Sequence, residues 1–163
     1  TDVRGNWTTG DTGAAHVDSD AFGAGAGAYN VALVSPTFSV FAGEIFTFWH
    51  QFNSIDGTDF GHVEISDDAG GTWTSLMTFA DDVGTNPAFP YTGYSAGGVQ
   101  EAIDISAFAG SSVNVRFRYE GDSWDWWWQV DNVASFTPVP EPTSAALLGL
   151  AGLGFLGLRR RRK

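Results

Sequence analysis

The most regular feature of the chain is a two-residue alternation of apolar and polar positions. Val113, Val115, Phe117 and Tyr119 fall on one face of a short stretch, and Asn114, Arg116 and Arg118 on the other. That period is the mark of a strand with one buried side. Ile45 to Phe52 alternates as well, with Phe46, Phe48, His50 and Phe52 against Ile45, Thr47, Trp49 and Gln51. Apolar groups on both faces predict a central strand of a sandwich. Further strands are predicted at Val31 to Phe38, where Pro36 marks an end or an edge, and at Val99 to Ile105 and Trp126 to Phe136. His62 to Ser66 and Thr72 to Phe79 flank Asp67-Asp68-Ala69-Gly70-Gly71, which predicts a hairpin. Residues 1–29 are rich in Gly, Ala, Asp and Thr and predict loops, with short strands near Trp7 and His16. A polar connection rich in Pro and Gly follows at 81–98. With no amphipathic helix in these stretches, the expected fold is all-β, an antiparallel β-sandwich over residues 1–137.

Charge changes this picture more than size does. The 163 residues leave room for one domain of ordinary size before the C-terminal stretch. Five of the eight basic residues lie in that stretch, leaving Arg4, Arg116 and Arg118 against eighteen acids and a body charge near −15. Such a body repels nucleic acid and anionic membrane surfaces and suits hard cations. The absence of cysteine excludes a disulfide scaffold and any thiolate nucleophile or metal site. The chain opens at Thr1 without a leader pattern, so a processed or truncated chain is expected.

The C-terminal stretch has three parts: Pro140-Glu141-Pro142, an apolar run from Ser144 to Leu158, and Arg159 to Lys163. As a helix the run would reach about 22 Å, short of a hydrocarbon core of ~30 Å. Gly149, Gly152, Gly154 and Gly157 weaken it further. Physically it is a marginal anchor with a basic end held on the cytoplasmic side. The order of parts over residues 138–163 resembles the PEP-CTERM sorting tail. The resemblance implies export and recognition by an exosortase-type enzyme near Pro140-Glu141-Pro142. It also implies transient insertion of 144–158 as a short apolar helix in the inner membrane of a Gram-negative-type bacterium. Removal of the tail and delivery to the cell surface or extracellular matrix would follow. A plain membrane anchor is the alternative.

A second resemblance covers the body. Asp59-Phe60-Gly61-His62-Val63-Glu64-Ile65-Ser66 with Asp67 to Trp73, Ala102 to Gly110, Val113 to Tyr119 and Trp128 to Val133 occur in order. Together they are similar to MAM-like jelly-roll modules attached to immune-inhibitor-A-type metalloproteases, which implies a jelly-roll sandwich. Three positions depart from the pattern: Ala69 replaces a turn glycine, Trp127 a glycine, and Asn132 an aspartate.

Two sites are candidates for chemistry. Sandwiches of this type often hold structural Ca²⁺, and Asp18, Asp20 and Asp131 would supply oxygens if the first and last strands are neighbours. Asp56 and Asp59 form a second acidic pair, and acids that merely decorate turns are the plain alternative. In the cluster Trp124, Trp126, Trp127 and Trp128, alternation sends Trp126 and Trp128 into the core. Trp127 is then expected to face outward, and Trp124 sits in the preceding acidic loop. Exposed indoles stack on sugar rings, so Trp124 and Trp127 are the candidate ligand-binding residues, with packing or a protein interface as the competing role. His16, His50 and His62 lack metalloprotease spacing, and no Gly-x-Ser-x-Gly elbow presents a serine. No catalytic residue is picked out. His50 reads as a core histidine, and Arg116 and Arg118 as partners of acids on neighbouring strands. The function expected is a non-enzymatic adhesion module for extracellular polysaccharide or a surface protein. The rivals are a polysaccharide hydrolase or lyase, an accessory domain of a secreted protease, and a self-associating matrix protein.

Overall fold

The alternating stretches become strands. The computed structural model describes residues 6–9, 13–19, 21, 25, 27–54, 57–85, 97–122 and 124–138. The tail residues Pro140, Glu141 and Pro142, the apolar run with its expected helix, and Asp20 and Asp56 lie outside them. In chain order the strands are β1 (Ala15–Asp18), β2 (Tyr29–Val34), β3 (Phe38–Ser39), β4 (Ile45–Asn53) and β5 (Phe60–Ser66). They continue with β6 (Thr74–Phe79), β7 (Val99–Asp104), β8 (Ser112–Gly121) and β9 (Trp127–Phe136), with a 3₁₀ turn at Ser106–Phe108. All pairings are antiparallel, in one sheet ordered β1-β9-β4-β7 and another ordered β2-β8-β5-β6, with β3 also on β8.

In β4 and β8 the inward positions are those that the alternation predicts. Phe46, Phe48 and Phe52 of β4 are buried with Val113, Val115, Phe117 and Tyr119 of β8 and with Trp128 and Val130 of β9. Edge-to-face contacts lock the two sheets together: Phe48 to Phe117 at 5.1 Å between ring centroids, and Phe117 to Trp128 at 5.8 Å. Each such pair contributes about 0.5–1.5 kcal/mol beyond simple burial. His50 fits among these rings, fully buried, with its Nδ1 accepting the Trp128 indole N–H at 3.2 Å. On the opposite side of the second sheet, Arg116 and Arg118 bond Glu64 at 2.6 and 3.0 Å, and Arg118 also bonds Glu120.

Three details differ from the sequence pattern. The predicted strand Val31 to Phe38 is split, because Pro36 has no N–H to continue the ladder, and β3 pairs further along β8. The segment around Trp7 forms no strand; it crosses the outer face of the first sheet, where Trp7 and Thr8 carbonyls accept from Gly97 and Gly98. In β9 the register slips opposite Phe48, and Asn132 there has φ +46°. Asparagine tolerates that left-handed conformation, and the extra residue is a bulge that keeps Val133 and Ser135 on the inward side.

The predicted hairpin forms between β5 and β6. Asp68 accepts from the Thr72 N–H, the Ser66 hydroxyl and the Thr72 hydroxyl, and these bonds hold its carboxyl at about 2. Ala69 takes φ +58°, where a Cβ is penalised by roughly 1–2 kcal/mol. Ala69→Gly is therefore expected to stabilise the domain by about 1 kcal/mol, read as a higher urea midpoint at unchanged slope.

Candidate functional site

Ser19, Asp59 and Tyr119 converge on the turn between β8 and β9, of which residues 122 and 124–126 are described. Its backbone is fixed from several sides. The Asp125 N–H donates to Ser19 Oγ at 2.7 Å, and the Ser19 N–H donates to the Trp126 carbonyl at 2.9 Å. The Asp122 N–H donates to Asp125 Oδ2 at 2.5 Å. Beneath the turn, the Tyr119 hydroxyl lies 2.9 Å from both Asp59 Oδ2 and the Asp125 carbonyl. Burial pushes the Asp59 carboxyl and the Tyr119 phenol above their ordinary values, and the Tyr29 phenol up to about 12. Gly121 is required by close approach rather than by its backbone angles, since a Cβ there would meet Asp59 Cβ at 2.7 Å.

This fixed turn displays Trp124 and buries Asp125. Trp124 is 56% exposed and has φ +69°. A cleft of about 500 Å³ reaches the start of the same turn at Asp122 and is lined by Tyr29, Asn30, Thr58, Phe60 and Glu120 among others. Glu120 is raised by burial, but its bond to His62 and the charge of Arg118 outweigh this and hold it below the usual range. It therefore stays an ionised acceptor, with Asn30 Nδ2 donating to it at 2.9 Å. Aromatic rings beside carboxylate and amide groups suit a hydroxyl-rich ligand. The cleft escaped sequence reasoning because its lining comes from three separated stretches.

The other sequence candidates fare differently. Trp127 does lie on the outer face with Gln129, but it is fully buried there. The segment Asn6 to Thr8 covers it: the Trp7 ring sits 5.2 Å from the Trp127 ring, and the Trp7 N–H donates to Gln129 Oε1 at 2.9 Å. The Trp127 indole N–H donates to Gln51 Oε1 at 2.6 Å. It cannot stack on a sugar. Trp126 is not in the core either; with φ +67° it leaves the alternation and stacks on Trp127 at 5.3 Å.

Of the acids Asp18, Asp20 and Asp131, the two described ones, Asp18 and Asp131, do not meet. β1 and β9 are neighbours as expected, but their register sets Asp18 opposite Trp127, four positions from Asp131. At ~3.3 Å per residue the two stand roughly 13 Å apart along the strands. Asp131 Oδ2 instead accepts from Asn6 Nδ2 at 3.0 Å, Thr8 Oγ1 at 3.1 Å and Thr9 Oγ1 at 2.8 Å. Burial pushes Asp131 up, and these donors more than reverse the effect. Asp18 and Asp131 therefore do not fit one Ca²⁺ ion, and among the described residues no three acidic or histidine side chains group as metal ligands. Of the second pair, Asp59 is buried under hydroxyls from Ser54 and Tyr119.

Residues 138–163 match the family described as the PEP-CTERM protein-sorting motif. The chain thus carries that motif at its end, with Pro140, Glu141 and Pro142 inside it, and is an exported protein with a sorting tail. Among curated proteins none matches the chain. Among solved structures it is similar to the K3 cleaved adhesin domain of Lys-gingipain from Porphyromonas gingivalis w83, at 22% identity and TM-score 0.47. That match covers 66% of this chain and 63% of the adhesin chain, under two thirds of its length. It is also similar to TmCBM61 in complex with β-1,4-galactotriose, at 14% identity and TM-score 0.46, covering 77% of this chain and 70% of that one.

Proposed function

We propose that this protein is a surface- or matrix-displayed adhesion module that binds extracellular polysaccharide through its loop end. An exosortase-type enzyme would sort it through its tail, and the body is read as a jelly roll. The observation that carries the binding reading is Trp124, an indole more than half exposed on a turn whose backbone is pinned on both sides. A rigid exposed ring stacks on a sugar at little entropic cost, and Glu120, Asp122 and Asn30, in the cleft that reaches the start of the same turn, accept or donate to hydroxyls.

The test is co-sedimentation of the full chain with extracellular polysaccharide of an exosortase-bearing bacterium, assaying the supernatant for new reducing ends. Retention without cleavage is expected, with Trp124→Ala weakening it at least tenfold. Equal retention of the variant would remove Trp124 from the site. New reducing ends would make the protein an enzyme and overturn the reading.

A further inference from the structure

Among the described residues one side of the sandwich is open: β2 has a partner only on its β8 side, and β1 covers β9 only from Trp127 to Val130. Between these edges runs an apolar groove made of two adjoining hollows, about 610 and 280 Å³, that share Leu33 and Phe117. Val31 and Leu33 pair with Tyr119 and Phe117, so they point toward the interior, yet they remain 43% and 51% exposed. Val133, inward after the bulge, is 45% exposed. A lining of this kind, with Glu44 as its one carboxylate and with that carboxylate engaged by the Ser135 and Thr137 hydroxyls, is costly to leave in water.

We propose that the groove is the docking site of this chain's own apolar run, Ser144 to Leu158, before the tail is processed. Three observations select that occupant, and none depends on the polysaccharide reading. The first is where the chain leaves. β9 ends at Phe136, and Thr137 donates to Glu44 at the mouth of the groove. Residues 138–143 then span at most about 20 Å, enough to reverse direction.

The second is length. From Ser135 at the mouth to Trp128 at the far end is seven steps along β9, about 23 Å. The fifteen uncharged residues of the run rise about 22 Å as a helix. The third is charge. A run laid from mouth to far end brings Arg159 to Lys163 to the end of the sandwich that holds Asp18, Glu120 and Asp122. Five cations there face the acids of a body that carries few cations of its own.

The absence of cysteine makes the test direct. Leu33→Cys is combined in turn with Leu147→Cys, Leu150→Cys and Leu153→Cys in the full chain, at submicromolar concentration in detergent-free buffer under mild oxidation. The control cysteine is Ser75→Cys, exposed on β6 at the opposite edge of the same sheet. Leu33 and Ser75 are both exposed, so neither change threatens the fold. At least one Leu33 combination is expected to form an intramolecular disulfide tenfold or more faster than its Ser75 counterpart. Equal rates at Leu33 and Ser75 would overturn the proposal. So would disulfide-linked dimers of the single Leu33→Cys variant as the main product, which would assign the groove to a second copy.

Discussion

Lowering the pH from 7 to 4 is expected to cost the domain about 3 kcal/mol through His50 alone. Burial among Phe48, Phe79 and Trp128 pushes its imidazole down to about 4. In the unfolded chain it titrates near ~6.5. Between those values the unfolded state holds the extra proton, so stability falls as the pH falls, by about 1.4 kcal/mol per pH unit. Nδ1 already accepts from the Trp128 indole, which leaves the neutral ring's proton on Nε2. Glu101 Oε1 stands 3.7 Å from Nε2, too far for a hydrogen bond that would favour the cation. Asp59 works in the opposite sense, since its raised carboxyl is easier to accommodate once protonated. His50→Gln keeps an acceptor for Trp128 and does not titrate. Urea unfolding at pH 7 and pH 4 should show the parent losing about 3 kcal/mol more than this variant over that interval. Parallel losses in the two proteins would rule His50 out as the acid-sensitive group.

Trp127→Ala is expected to cost about 3–5 kcal/mol, a large part of the stability of an ordinary domain. The indole is fully buried, so its removal empties a space closed by Trp7 and Trp126 on either side. It also strips the Gln51 carbonyl of its N–H donor, while Gln51 remains buried. Trp124→Ala should change stability by no more than about 0.5 kcal/mol, because its side chain stands mainly in solvent. Urea denaturation of both variants checks the contrast. Similar losses would mean that the exposed indole is held by the fold, and would weaken its assignment as a ligand platform.

These two tryptophans also show what a sequence of this kind discloses. Alternation placed Phe46, Phe48, Phe52 and the odd-numbered residues of β8 inside, because a strand's two faces follow from a local period. It also placed Trp127 and Gln129 together on the outer face. That this face is itself buried depends on Asn6 to Thr8, more than a hundred residues away and without any period of its own. The expected meeting of Asp18 with Asp131 failed for a related reason. Adjacency of β1 and β9 is a matter of topology, but the meeting of Asp18 with Asp131 is a matter of register, and register is set by long-range packing. Trp124 was legible because an acidic, glycine-containing turn before a strand sends its side chains outward. The neighbouring cleft and the open groove were not, since each is assembled from strands distant in sequence. The sorting motif needed no structure, because it is read in order along the chain.

β9 links the turn that carries Trp124 to the start of the sorting motif. Trp124 lies just before its first residue, and the sorting tail begins just after its last. A module held at its C-terminal end and pulled through a ligand at the loop end would be loaded along β9 itself. β9 is ten residues long, about 33 Å. It is an interior strand, paired with β4 at eight positions and with β1 at four. Tension along its axis would have to shear those bonds together rather than peel them one at a time. The strand that closes the sequence is thus placed as a tie rod, so that drag on a bound polymer would pass to the anchor without first prising the two sheets apart.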